Sequence, residues 1–441
     1  MKRSLLFSLI LGFLVACASP VGPSGSTPPA QQGGSGDGVR LVQAQVPRHE
    51  SQGVEDSNIE GLVRGMNTFG IDFYKVTNQS GEANLIFSPY SIALAFSMTY
   101  GGAMGQTEAQ MMKTLGFLPQ TEQHAAFNAL DQYLAALGEG FEGQSQANDD
   151  QGEAFQLDVA NAVWGQAGFP FKDAYLQTLA EYYGAGLREV DFSQDPEAAR
   201  ERINQWVAEQ TKDKIKDLAP QGSIDTNTRL VLANANYFKA AWLFPFMESR
   251  TNQEDFTLLD GSQAEVAMMH GGGRFPYTLR EGYQAVQIPY TGDQVDLLVV
   301  LPDEGRFGAI EDQLSTEFLE IVREEMETHD VSLAMPHFDF DSEIDLVRAF
   351  QTMGMTDPFS GAADFSGMVE GDGLFISAAQ HKGTIKVDEI GTEASAATMI
   401  AVGVSAIQQA EVSLDRPFIF AIVERETGSI LFLGRVVKPT H

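Results

Sequence analysis

Apolar positions recur at helical spacing through Leu62, Met66, Phe69, Phe73 and Val76, which predicts a helix over residues 62–76. After a turn at 78–83, Leu85-Ile86-Phe87 reads as a short strand. Ser88-Pro89 then opens a helix over 90–100, with proline in the first turn where its missing N–H does no harm. That helix is apolar almost all round, so it is expected to be buried, and Gly101-Gly102 ends it. Amphipathic surface helices follow at 107–115 and 125–137, then a polar loop at 138–152. Residues 155–164 alternate like a strand, 198–211 form a helix with Trp206 on its apolar side, and 229–239 form a strongly apolar strand. From Phe256 onward short strands dominate, at 265–269, 283–289, 295–301 and 331–336, interrupted by helices at 310–327 and 343–353. His270, beside Gly271-Gly272-Gly273, reads as a loop residue. Residues 416–437 are two strands joined by a turn at Glu426-Thr427-Gly428. Helices early and strands late favour a mixed α+β domain over an alternating α/β one.

Residues 389–411 fit one element badly. No charge falls between Glu393 and Glu411. Thr392, Ala394, Ala396, Thr398, Ile400, Val402 and Val404 form one face of a strand, small at first and then branched. The opposite face is Glu393, Ser395, Ala397, Met399, Ala401 and Gly403. Yet the Ala and Gly content, and the polar end Ser405-Ala406-Ile407-Gln408-Gln409, suit an exposed loop equally well.

Charge narrows the function classes. The 28 Lys and Arg against 60 Asp and Glu give a net charge of -32, which argues against nucleic acid and against a basic membrane-binding face. The single cysteine, Cys17, excludes an intramolecular disulfide and a Cys-based zinc cluster. Its position is informative: Lys2-Arg3, an apolar run at 5–15 and Leu14-Val15-Ala16-Cys17 have the anatomy of a signal peptide over 1–16. The ending resembles a bacterial lipobox, which implies lipidation of Cys17 and a lipid-anchored protein of the cell envelope or exterior. Residues 17–58, rich in Pro, Gly, Ser and Gln, are expected to be a flexible tether, and 59–441 the folded part.

Enzyme signatures are missing. There is no G-x-S-x-G, no S-x-x-K with its partners and no H-E-x-x-H, and the seven His are too scattered to suggest a metal site. No metal or other cofactor is expected.

Several pieces, each weak alone, fall in an order and spacing that resembles the serpins, inhibitors of serine proteases that act as suicide substrates. They are residues 84–92 (NLIFSPYSI), 234–239 (NANYFK) with Trp242, 363–367 (ADFSG), 391–394 (GTEA), 415–418 (DRPF) and 431–435 (LFLGR). The resemblance spans the whole folded part. It implies a single α+β domain, the serpin fold, with three β-sheets, eight or nine helices and an exposed reactive-centre loop at about 389–411. It also resolves the conflict in that stretch: the loop is bait for a protease and, once cut, inserts as a strand of the largest sheet.

The resemblance assigns roles to particular residues. Glu389, Gly391, Thr392, Glu393, Ala394, Ser395, Ala396 and Ala397 form the hinge, small enough for a sheet to admit. The attacked bond falls at Ser405 or Ala406, with Val404 as the alternative. These small side chains suit elastase-like or subtilisin-like proteases rather than a pocket that wants Arg or Lys. Ser88, Ser91, Asn234 and His381 match a polar cluster under the main sheet, and Trp242 the aromatic where insertion starts. Glu389 commonly faces a Lys in the family; here Pro336 is followed by His337, so insertion is expected to respond to pH near neutrality. No Lys or Arg lies in 125–137, so heparin activation is not expected. A monomer is expected, and a non-inhibitory serpin that binds or scaffolds is the alternative.

Overall fold

The computed structural model describes residues 31–33, 38–51, 53–78, 81, 83–145, 155–371, 373–392 and 408–439. At its centre is the helix Pro89–Tyr100, every residue of which is buried. The Ser88 side chain caps it by accepting the Ser91 N–H at 3.1 Å, and Pro89 occupies the first turn as expected.

An eight-stranded sheet lies over this helix. Its order is Gln31–Gly33, Arg40–Gln43, Leu187–Val190, Phe155–Gln166, Leu230–Ala241, Gly391–Thr392, Ile376–Val387 and Phe338–Asp345. Inward-facing Leu230, Leu232, Phe238 and Ala240 join the main core, whereas Val231, Ala233 and Ala235 pack outward with Ile203 and Val207 of the helix Pro196–Gln210. The other strands form a nine-stranded hydrogen-bonded network. Its 18-residue strand Gln263–Arg280 pairs with Asn252–Thr257, Glu327–Pro336 and Tyr283–Pro289, and so joins the second and third of the three expected sheets. Nine α-helices lie among the described residues.

Five local expectations change. The helix expected over 125–137 is Gln120–Ser145, which takes in residues expected to be polar loop. His270 and the glycines after it are inside the strand Gln263–Arg280, not in a loop: a Cβ on Gly271 would come within 2.7 Å of the Phe246 ring, so aromatic side chains fill the space those glycines leave. The helix over 310–327 is two, Phe307–Gln313 and Thr316–Glu324, because Ser315 caps the second by accepting the Phe318 N–H at 3.0 Å. Residues 343–345 belong to the strand Phe338–Asp345, and Asp345 caps the helix Leu346–Thr352. Finally, the packed part starts well before residue 59. Arg40–Gln43 pairs antiparallel with Leu187–Val190, Val42 is buried, and the first helix is Asp56–Thr77. The open edge of the sheet offers unpaired backbone groups, which a segment poor in apolar residues can use.

Candidate functional site

The main sheet contains a partly opened slot. Leu230–Ala241 and Ile376–Val387 pair in parallel from Ile376 opposite Leu230 to Thr384 opposite Tyr237. Beyond that point they part and admit Gly391–Thr392, with Thr392 paired to Ala240 on one side and Val387 on the other. The backbones come very close here: a Cβ on Gly391 would lie 2.1 Å from the Ala240 carbonyl oxygen, so only glycine fits. Thr392 is 0% exposed and its hydroxyl lies 2.7 Å from the Tyr290 hydroxyl. Burial pushes the Tyr290 phenol well up, which keeps it neutral as a hydrogen-bonding partner.

Trp242 holds the entrance. Its ring stacks on Tyr290 at 4.6 Å and 11°, its Nε1–H donates to the Asp388 carbonyl at 3.0 Å, and its backbone N–H donates to the Ile390 carbonyl at 2.8 Å. The Phe246 N–H donates to the Glu389 carbonyl at 2.8 Å. The Glu389 carboxylate accepts from the Thr251 hydroxyl at 2.5 Å and faces His337 Nε2 at 2.9 Å. Burial pushes this carboxyl up, but the Thr251 hydrogen bond, a backbone contact and His337 outweigh burial and hold it below the usual range.

Further down the slot lies an almost wholly neutral cluster. His381 is 1% exposed; its Nε2 accepts the Ser88 backbone N–H at 3.3 Å, so the proton sits on Nδ1 and is donated to Asn234 Oδ1. Asn234 Nδ2 donates to the Ser91 hydroxyl at 2.7 Å, to the Ser91 carbonyl at 2.8 Å and to Asn161. The His381–Asn234 bond therefore bridges the two strands that bound the slot. Burial lowers the His381 pKa to about 3, which leaves the imidazole neutral.

A family model described as Serpin (serine protease inhibitor) matches residues 64–439. The chain belongs to the serpins. It is 37% identical to an uncharacterized serpin-like protein of Thermococcus kodakarensis over 382 residues, 86% of each chain. It is 35% identical to the leukocyte elastase inhibitor of Bos taurus over 396 residues, covering 86% of this chain and all of that one. Among solved structures it is similar to the native state of the thermophilic serpin tengpin, with a TM-score of 0.76 and 26% identity over 89% of this chain and 98% of that one. It is likewise similar to uncleaved ovalbumin, with a TM-score of 0.75 and 26% identity over 86% and 100%.

Of the residues to which the resemblance assigns roles, Ser88, Ser91, Asn234 and His381 lie in one cluster, and Trp242, His337, Glu389, Gly391 and Thr392 in another. Glu393, Ala394, Ser395, Ala396, Ala397, Val404, Ser405, Ala406 and Cys17 lie outside the described residues. Sequence reasoning missed Asn161, Thr251 and Tyr290. Thr251 and Tyr290 meet the hinge from 138 and 102 residues away along the chain, so no local pattern marks them. Asn161 is a polar residue on the otherwise apolar inward side of its strand, Phe155–Gln166, and that is a signal the pattern offered.

Proposed function

We propose that this serpin is a suicide-substrate inhibitor of serine proteases with small-residue specificity, of elastase or subtilisin type. The observation that carries the reading is Gly391–Thr392 seated between Leu230–Ala241 and Ile376–Val387. The first residues of the loop already occupy the place of the strand to be inserted. Continuing their antiparallel register puts Ala394 opposite Phe238, Ala396 opposite Asn236, Thr398 opposite Asn234 and His381, Ile400 opposite Leu232 and Val402 opposite Leu230. Small residues meet the crowded upper slot, and branched apolar ones meet the apolar lower slot. Thr398, whose hydroxyl both donates and accepts, arrives where the His381–Asn234 bond must break. Attack at Ser405 or Ala406 leaves an acyl-enzyme, and insertion of the cut loop carries the protease away before deacylation.

We further propose that Cys17 carries lipid and that the protein acts at the cell envelope, since several acyl chains at ~0.8 kcal/mol per buried methylene give firm anchoring. Incubation of the protein lacking residues 1–37 with elastase-like and subtilisin-like proteases is expected to yield an SDS-resistant complex, with mass spectrometry of the released peptide locating the cut. Clean turnover of the loop without a complex refutes inhibition. Cys17→Ala is expected to move the full chain from the membrane to the soluble fraction.

A further inference from the structure

Two of the three tryptophans lie away from the slot mouth, on the outer face of the main sheet. Trp164 of Phe155–Gln166 is 1% exposed, and Trp206 of the helix Pro196–Gln210 meets it edge to face, with ring centroids 5.9 Å apart at 74°. The Arg188 guanidinium, on the neighbouring strand Leu187–Val190, stands over both rings, 4.9 Å from the Trp206 centroid and 5.6 Å from that of Trp164.

Every side-chain polar group in this cluster is a donor. Guanidinium and indole offer N–H groups and accept nothing. The Trp164 and Trp206 Nε1 atoms are both buried, and neither has a hydrogen-bond partner. The Arg188 guanidinium has no ion-pair or hydrogen-bond partner among the described residues. The carboxylate that acts on it, Glu209, is exposed and accepts instead from Gln205 Nε2 at 3.0 Å. Burial disfavours the charge on Arg188 and Glu209 opposes that effect. Arg202, one turn before Trp206 on the same face of the helix, brings a second guanidinium, which packs against Gly38. A cation–π stack accounts for the position of Arg188, but it supplies no acceptor to either indole, and a buried donor without one is costly.

We propose that this corner is a binding site for a small inorganic anion, such as a halide, held between the helix and the sheet by the Arg188 guanidinium and the Trp164 and Trp206 indole N–H groups. An anion is the ligand class that answers a set of donors with a positive charge and no acceptor. Rings this close leave room for a small one only. Bound there, it gives Phe155–Gln166, Leu187–Val190 and the helix Pro196–Gln210 a shared polar partner, so occupancy stabilises the fold by mass action. The net charge of -32 repels anions from the surface as a whole, so an anion-specific effect has to come from a local site.

The test compares the full chain in sodium chloride and in sodium gluconate at equal ionic strength, which screens surface charge equally and changes only the anion. Binding is read as broadening of the chloride NMR line, and its consequence as the midpoint of thermal unfolding. Wild type is expected to broaden the line and to unfold about 2–4 °C higher in chloride. Arg188→Gln is expected to abolish both effects. Trp206→Phe keeps the ring and removes the N–H, so it weakens chloride binding about tenfold and serves if Arg188→Gln does not fold. The control Arg280→Gln removes an equal charge, paired with Glu325 at 2.6 Å, and keeps the full chloride effect. Equal broadening in wild type, Arg188→Gln and Trp206→Phe overturns the site. So does a chloride line that wild type leaves sharp, or a midpoint that is the same in both salts, since water would then be what meets the indole N–H groups.

Discussion

At the mouth of the slot His337 meets the Glu389 carboxylate at 2.9 Å with 21% of its side chain exposed; further down, His381 is 1% exposed between Ser88 and Asn234. Both histidines touch elements that close the sheet, but one faces a carboxylate and the other only neutral groups. At the mouth, the His337–Glu389 contact is an ion pair only when the imidazole is charged. Glu389 is held below the usual carboxylate range, so its contribution is present above that range and is lost only as pH drops through the lowered value. His381 is different: with its pKa at about 3 in the closed sheet, an opened sheet binds the proton more readily, and closure loses stability as pH falls from about 6.5 toward 3. A second proton on His381 would also displace the Ser88 N–H from Nε2. The mouth uses charge where water still screens it, and the lower cluster uses a fixed neutral tautomer where a charge would be costly.

The largest effect comes from removing the condition both regions share. Thr392→Arg would bury a guanidinium at a position that is 0% exposed, and is expected to turn the inhibitor into a plain substrate, with complex formation on denaturing gels falling by about a hundredfold or more. If the complex persists, insertion does not pass through this slot. Next, Asn234→Ala leaves Ser91, Asn161 and His381 without their shared partner and is expected to cost about 2–3 kcal/mol in denaturant unfolding. A loss below about 0.5 kcal/mol, the size of a typical surface change, would show that the cluster does not close the sheet. The smallest effect separates the two histidines. His337→Gln keeps a hydrogen-bonding group opposite Glu389 but cannot form an ion pair with it, and is expected to raise the rate of spontaneous loop insertion a few-fold. An unchanged rate would show that the His337–Glu389 contact does not help to close the mouth.

Much of this was legible in advance where the pattern was local. The central helix announced itself by Ser88-Pro89 and an unbroken apolar run, and the positions of the two clusters followed from short motifs taken in order. The strand through His270 was hidden because its glycines make sense only beside Phe246, which is far away in sequence. The break at Ser315 was obscured by an apolar spacing that continues across it. Residues 38–51 looked like tether because their stability comes from Arg48, Arg40 and backbone pairing to a sheet edge, none of which a count of apolar residues registers. Charge spacing likewise gave no sign that Tyr90, Asp131 and Arg48 meet.

Gly391 sets a distance as well as a shape. Because its backbone is pressed against Ala240, a strand inserted as proposed above would have one starting position and could not slide along the slot. On that mechanism, the number of residues between Gly391 and the cut would determine how far a protease is carried, at about 3.3 Å for each residue. Attack at Ala406 instead of Ser405 would place the captive enzyme one such step further along the molecule, so a single glycine would make the loop a ruler whose length is read out in the final position of its target.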